Sequence, residues 1–457
     1  MRSIPDDATI FLKPSVVWVR AEQTALGGLS DGSQPVGVRT FTAWETRILE
    51  RLAKGATRAE LCAPDRAPTE RLDDFLDSLQ RWGPGALDWC ASELVEAQAD
   101  HRRTVEATRL RDIWAAMTTE VDVNDHFHRS GLNEPERQFD EVETTISHAF
   151  REPHAALGGR SYGEAFCDWL VANGRIKSGC RVIEIGCGLG FFANALLDTL
   201  ARKYPGIYDG TTYTLFDLSP ELQSAQRARC ARHAGKLNFI LGNIETHQFV
   251  GEPFDLVVSN EVIADLGVAT ISLESVENGP LRNEGEALAA EYQLECIPIL
   301  QGSQRKAVLN VGAIKMLQNL SHCMGEGSAA VITEYGSSGL SPKAVQFENH
   351  KEFTVHFGHL VQVAERLGFK TSLTSMGAAI GFDEKCETIR MESFRTLSGG
   401  ILPALGREPI PMLAYTAQSL RDAVGDLMDD LGNLQFLSLA HPASFSPFRF
   451  EQLLLSR

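Results

Sequence analysis

The sequence predicts an α/β fold built on a parallel sheet of nucleotide-binding type, and two observations carry that expectation. Residues 181–190, R-V-I-E-I-G-C-G-L-G, set the apolar run Val182-Ile183 before Glu184 and a tight glycine loop, Gly186, Gly188 and Gly190. The next stretch, Phe191-Phe192-Ala193-Asn194-Ala195-Leu196-Leu197, has helical apolar spacing, so strand, glycine loop and helix form the first unit of such a sheet. Four more apolar runs follow, Tyr213–Asp217, Leu237–Asn243, Phe254–Asn260 and Ala329–Glu334, separated by helical segments. That alternation makes the strands parallel and buried, which accounts for their unbroken apolar character.

The elements then specify a ligand. Glycine is required where backbone passes close to a bound group or takes positive φ. A dinucleotide fingerprint would read G-x-G-x-x-G, with a pyrophosphate at the helix start. Here the spacing is G-x-G-x-G, followed by Phe191. A carboxylate at the strand end, Glu184, suits the ammonium, sulfonium and ribose of S-adenosylmethionine better than it suits a phosphate. Asp217 ends the second strand, where a carboxylate can accept from both ribose hydroxyls. Leu218-Ser219-Pro220-Glu221 opens the next helix, with proline in its first turn.

Composition bounds the rest. At 457 residues the chain exceeds one compact core, so two or three domains are expected. A net charge of −17 disfavours general binding to nucleic acid or anionic lipid. The first residues, M-R-S-I-P-D-D-A, lack an apolar signal core, and no run is long enough for a membrane span. Nine cysteines are scattered without C-x-x-C or metal-ligand spacing, which reads as buried free thiols in a reducing cytoplasm. No metal site is expected, and His126, His128, His148 and His154 read as solvent-facing.

Before the glycine loop, the chain predicts a small domain over 1–90 and a polar helical connector over 91–155. Residues 9–20 read as two short strands with a turn at Lys13-Pro14-Ser15, Gly27 to Pro35 as a loop, and Val36–Arg39 as a third strand. Three helices follow. Thr42-Ala43-Trp44-Glu45 and Thr57-Arg58-Ala59-Glu60 are capping boxes. The third helix, about Thr69–Trp82, sets Leu72, Phe75, Leu76 and Leu79 on one face. Short strands followed by three helices describe a winged-helix-like unit. Its charge is nearly balanced, with no basic face for DNA; peptide recognition and dimerisation stay open.

Three resemblances sharpen these expectations. The glycine-loop stretch resembles motif I of class I S-adenosylmethionine-dependent methyltransferases, implying a Rossmann-like methyltransferase domain over 156–457. In that class Asn243 and Ile244 fall where adenine is held; Leu218 and Asn260 complete the implied cofactor contacts. The strings Y-T-L-F-D-L-S-P-E-L-Q-S-A-Q, S-N-E, T-E-Y-G and F-T-V-H-F-G-H-L-V-Q-V-A-E-R-L-G-F, in order over about 158–370, resemble the MidA-type methyltransferases. That family includes a mitochondrial enzyme that methylates an arginine on a protein partner. Departures are Ala264-Asp265-Leu266-Gly267, where the family runs toward D-A-x-P, and Glu334-Tyr335-Gly336 for D-Y-G. The first domain, around E-T-R-I-L-E-R-L-A-K-G-A-T-R-A-E-L, is similar to PqqD-like elements, which bind the leader of a ribosomally made peptide as an added strand.

The catalytic candidates follow from the crevice outside the carboxyl ends of the strands. Glu261, directly after the fourth strand, is the first choice to hold or deprotonate a nucleophile; Asp265 and Glu334 come second and His356 third. A long insertion, about 267–312, separates strands four and five. Over 251–300 there are ten acids against one base, Arg282, a field that would attract a cationic peptide or protein substrate. Lys370–Thr374 reads as an antiparallel edge strand, and the last 60 residues pattern as helices.

Overall fold

The computed structural model describes residues 9–13, 15–20, 24–30, 35–62, 69–82, 86–90, 153–301, 304–346, 351–410, 415–441, 444 and 450–457. The chain divides into two compact units, one of residues 1–110 with 384–446, the other of 111–383 with 447–457. This division differs from the expected boundaries, because 384–446 joins the N-terminal stretch rather than the methyltransferase-like domain. Most of the expected connector, with His126, His128 and His148, lies outside the described residues.

The second unit holds the glycine loop. Helix α1 (Tyr162–Ala172) begins at Ser161, whose side chain and Glu164 form a reciprocal capping box. Strand β1 (Arg181–Ile185) leads through the loop to α2 (Phe191–Lys203), β2 (Thr212–Asp217), α3 (Pro220–Arg229), β3 (Leu237–Leu241) and β4 (Phe254–Asn260). After the insertion come α4 (Val311–Cys323), β5 (Met324–Ser337), α5 (Phe357–Arg366), β6 (Lys370–Ser375) and β7 (Phe450–Ser456). The strand order is β6-β7-β5-β4-β1-β2-β3. Neighbours from β5 through β3 pair in parallel, whereas β7 runs antiparallel to both β5 and β6. Thus β6 is the expected edge strand, but the C-terminal residues 450–456 form a strand where helix was expected. Their run F-E-Q-L-L-L-S is short, and the slot between β5 and β6 supplies backbone partners on both sides.

One sheet face packs on α4 and α5 through Ile314, Leu317, Leu360 and Val363, all buried in the main core. Helices α1 and α2 bury Tyr162, Phe166 and Phe192, with the Phe166 and Phe192 rings edge-to-face at 5.2 Å. Each such ring contributes roughly 1.5–3 kcal/mol by leaving water. Within the insertion, Ala269–Ser272, Gln304–Leu309 and Ile299–Gln301 form a small antiparallel sheet accompanied by helices Leu273–Asn278 and Glu284–Glu291.

In the first unit Thr9–Leu12 pairs with Ala56–Thr57 and Leu87–Cys90, and helices cover Ala43–Leu52, Arg58–Cys62 and Thr69–Trp82. Both expected capping boxes form: Thr42 N–H donates to Glu45 Oε2 at 2.7 Å and Thr57 N–H to Glu60 Oε2 at 2.8 Å. Leu72, Phe75, Leu76 and Leu79 are buried in one cluster with Ile48 and Leu52. Of the stretch read as a loop, residues 27–30 belong instead to a strand, Thr24–Ser30, between Val16–Arg20 and Pro35–Thr42, while residues 31–34 lie outside the described residues. Its glycines are the reason: a Cβ on Gly27 would lie 2.3 Å from the Phe41 ring, so glycine lets that ring cover the strand. Leu431–Gly432 extends the same sheet beside Val16–Arg20.

Candidate active site

The sheet order reverses between β1 and β4, and such a switch point leaves a crevice at the carboxyl ends of those strands. The cavity found there has about 700 Å³ of empty space including its open mouth. Gly186, Gly188 and Gly190 all have positive φ, at 68°, 49° and 78°. Gly186 meets the opposite wall, since a Cβ there would lie 2.3 Å from Val262 Cγ2. Gly188 is different: nothing lies within 4 Å of its would-be Cβ, so the open space beside the loop is free for a ligand. Gly190 does not line the cavity and starts α2.

Asp217 lies at the cavity edge, 5% exposed. Its Oδ1 accepts the backbone N–H groups of Leu218 at 2.7 Å and Ser219 at 3.2 Å, and Oδ2 accepts Gln226 Nε2 at 2.8 Å. Burial pushes its pKa up to about 6, against those hydrogen bonds and one from the Gly188 backbone. Leu218, Asn243 and Ile244 line the cavity as expected, with Phe216, Leu222 and Leu266 adding apolar walls. Asn243 Oδ1 accepts Glu245 N–H at 2.9 Å, and Asn319 donates to Ile244 O at 2.6 Å, so this loop is held from both directions. Sequence reasoning passed over Leu222 and Gln226, although four-residue spacing in α3 puts them on one helix face.

Glu184 is elsewhere. It is buried, is not among the lining residues, and accepts the Tyr213 hydroxyl at 2.7 Å. Alternation along β1 explains this, because Ile185 lines the cavity and successive strand side chains face opposite sides. Burial raises the Glu184 carboxyl to about 8.

On the acceptor side, Glu261 and Asp265 both line the cavity. Glu261 has φ 52°, an unusual conformation for a non-glycine residue and one often found at functional sites. Its N–H donates to Thr333 O at 2.9 Å, fixing the chain's exit from β4. Glu334 and His356 are not brought to the cavity wall. Glu334 accepts Ala264 N–H at 3.2 Å and Tyr335 N–H at 2.8 Å, and burial raises it to about 8. His356 Nδ1 accepts His359 N–H at 3.1 Å as the cap of α5, and burial lowers its pKa. Asn260 also stands off the wall, its Oδ1 accepting the Tyr162 hydroxyl at 2.9 Å.

The ten acids do not form one wall. Asp255, at the start of β4, accepts Arg181 N–H at 2.7 Å, and Glu252 pairs with Arg181 at 3.0 Å, at the opposite end of that strand from Glu261. Glu286 is buried and accepts the N–H groups of Ser272 and Arg282 at 3.1 and 2.6 Å. Glu277 pairs with Arg305, and Glu284 with Lys315. Glu261 and Asp265 are the two of the ten that line the cavity. His154, expected at the surface, is buried against Phe382, and burial lowers its pKa to about 4. No metal-ligand cluster occurs among the described residues, and no helix among them is long and apolar enough to cross a membrane.

A glycine loop, a β2-terminal acid and an apolar corner at the switch point suit a domain that binds a nucleoside-bearing cofactor. Residues 162–345 match the family described as "Putative S-adenosyl-L-methionine-dependent methyltransferase". The domain is therefore that of a class I methyltransferase, and its cofactor is S-adenosyl-L-methionine. Among solved structures, the chain is similar to a Burkholderia thailandensis protein bound to S-adenosyl-homocysteine, at 16% identity over 77% of this chain and 91% of that one, TM-score 0.40. A TehB-like S-adenosylmethionine-dependent methyltransferase from Corynebacterium glutamicum is 14% identical over 66% and 91%, TM-score 0.30. The CcbJ methyltransferase from Streptomyces caelestis is 9% identical over 74% and 99%, TM-score 0.34. The comparison with curated proteins gives no match.

The residues fit the cofactor. Gly186 and Gly188 leave backbone and open space for it, Asp217 offers a carboxylate for ribose, and Leu222, Ile244 and Leu266 suit a purine face. When bound, S-adenosylmethionine supplies an electrophilic methyl on a sulfonium.

Proposed function

We propose that this enzyme methylates an arginine nitrogen in a ribosomally made peptide, in the cytoplasm. The observation that carries the reading is the pair of carboxylates, Glu261 and Asp265, on the wall of the cofactor cavity. A guanidinium is planar and stays protonated in water, so it needs a carboxylate to orient it and to take its proton. Glu261 holds one edge of the guanidinium. As the N–C bond forms and the C–S bond breaks, the proton on that nitrogen passes to Glu261. Asp265, four residues on, balances the remaining charge. Alignment of this kind is worth up to ~7–11 kcal/mol in well-oriented cases.

The MidA-type resemblance supports the same acceptor. Peptide recruitment is supported by the edge position of Pro35–Thr42 in its four-stranded sheet, where a leader segment can add as a strand. Neither nucleic acid nor membrane enters as a partner; a homodimer is compatible with this scheme.

The test is co-expression with a candidate peptide carrying Arg, Lys, Gln or Ala at one position, followed by tandem mass spectrometry. Methylation confined to the Arg peptide, and lost in Glu261→Gln while S-adenosylhomocysteine still binds, is expected. A methyl found on Asp, Glu, Ser or the C-terminus would overturn the acceptor assignment.

A further inference from the structure

Gln226 belongs to α3 and is fully buried, yet it makes two hydrogen bonds at the centre of the cofactor site. Its Nε2 donates to Gly188 O at 2.9 Å and to Asp217 Oδ2 at 2.8 Å. Both neighbours are acceptors, so the amide orientation is fixed by chemistry. One partner belongs to the glycine loop and the other to the end of β2, and both line the cavity. The packing is close: a Cβ on Gly190 would lie 3.3 Å from Gln226 Cα. Oε1 is buried with no hydrogen-bond partner among the described residues. An unmet buried acceptor is unfavourable, and a hydrocarbon side chain would fill the site without it. The two donated bonds are therefore what this position requires.

We propose that Gln226 is a cofactor-positioning residue, whose amide ties the glycine loop to Asp217 and so sets the gap that receives the ribose of S-adenosylmethionine. It acts through Asp217 and rests on the assignment of this cavity to that cofactor. With the amide donor removed, the buried Asp217 takes up a proton at higher pH, and a protonated carboxyl is a poorer acceptor for ribose hydroxyls. Glu184 from β1 and Cys187 from the loop interact with Asp217, and Glu261 and Asp265 line the same cavity. Burial raises both Glu184 and Cys187, so they stay largely protonated over the range of the test.

The experiment is calorimetric titration of the full chain with S-adenosylhomocysteine, from about pH 5 to 7, below the main release of those protons. Wild type, Gln226→Leu, Asp217→Asn and the double variant are compared. Gln226→Leu is expected to weaken binding roughly tenfold, with the acid limb of the binding curve moved to higher pH. In the Asp217→Asn background the same change should have little further effect. Equal affinity, full additivity, or a loss without the pH displacement would overturn the proposal. Should Gln226→Leu fold poorly by circular dichroism, Gln226→Asn, whose shorter amide cannot span both acceptors, gives the same readout. A wild-type chain that bound no S-adenosylhomocysteine would instead overturn the cavity's assignment.

Discussion

The carboxylate of Glu334, at the end of β5, accepts the backbone N–H of Ala264 at 3.2 Å, and so holds the turn that carries Glu261 and Asp265 to the cavity. The second oxygen accepts Tyr335 N–H at 2.8 Å. One buried acid therefore ties β5 to the exit of β4.

Glu334→Ala leaves these N–H groups unsatisfied, each at about 1–3 kcal/mol. We expect it to lower the thermal midpoint and abolish turnover. Glu334→Gln keeps one acceptor and should retain the fold, with kcat reduced and S-adenosylhomocysteine affinity nearly unchanged. Thermal melts, calorimetry and steady-state kinetics on both variants check this; a larger loss of binding than of turnover would show the turn serves the cofactor instead.

Gly188→Val should fold but lose S-adenosylmethionine binding. The open space at its Cβ accepts a side chain without a clash, although φ 49° disfavours one by roughly 1–2 kcal/mol. The valine then occupies the volume the ligand needs. Asp217→Ala is expected to weaken binding by about 1–3 kcal/mol. Calorimetry on the two variants decides, and unchanged affinity in both would remove the cofactor from this cavity.

Glu184 and Glu334 should each take stability away as pH rises between 4.5 and about 8. Burial raises both carboxyls from 4.5 to about 8, so across that window the folded chain holds protons that the unfolded chain has released. Each contributes a slope of at most ~1.4 kcal/mol per pH unit. Glu184→Gln keeps an acceptor for Tyr213 and cannot titrate, so its denaturant midpoint should decline less between pH 6 and about 8 than that of wild type. Parallel declines would place the pH dependence elsewhere.

What the sequence determined by itself was local. Unbroken apolar runs located β1 to β5 and helical apolar spacing located their helices, because burial on both faces or on one imposes those patterns. Thr42 and Thr57 marked helix starts, since a side-chain oxygen must serve the free N–H groups there, and Pro220 marked another. The positive φ of Gly186, Gly188 and Gly190, and the cavity positions of Asp217, Asn243, Ile244, Glu261 and Asp265, follow from their places after strands. Only the tertiary structure decided which partners these elements meet. The run 450–456 becomes a strand because a slot opens between β5 and β6. Residues 384–446 join the first unit because Ile389, Phe394 and Leu397 bury with Val17 and Val19, contacts hundreds of residues apart that no local pattern records. For that reason deleting residues 1–90, the obvious test of a separate recognition domain, would strip a shared core rather than remove a module. The ten acids of 251–300 illustrate the same limit. A window of sequence counts charge along the chain, but β4 carries Asp255 and Glu261 to opposite ends of the sheet, and the Coulomb field depends on distance in space.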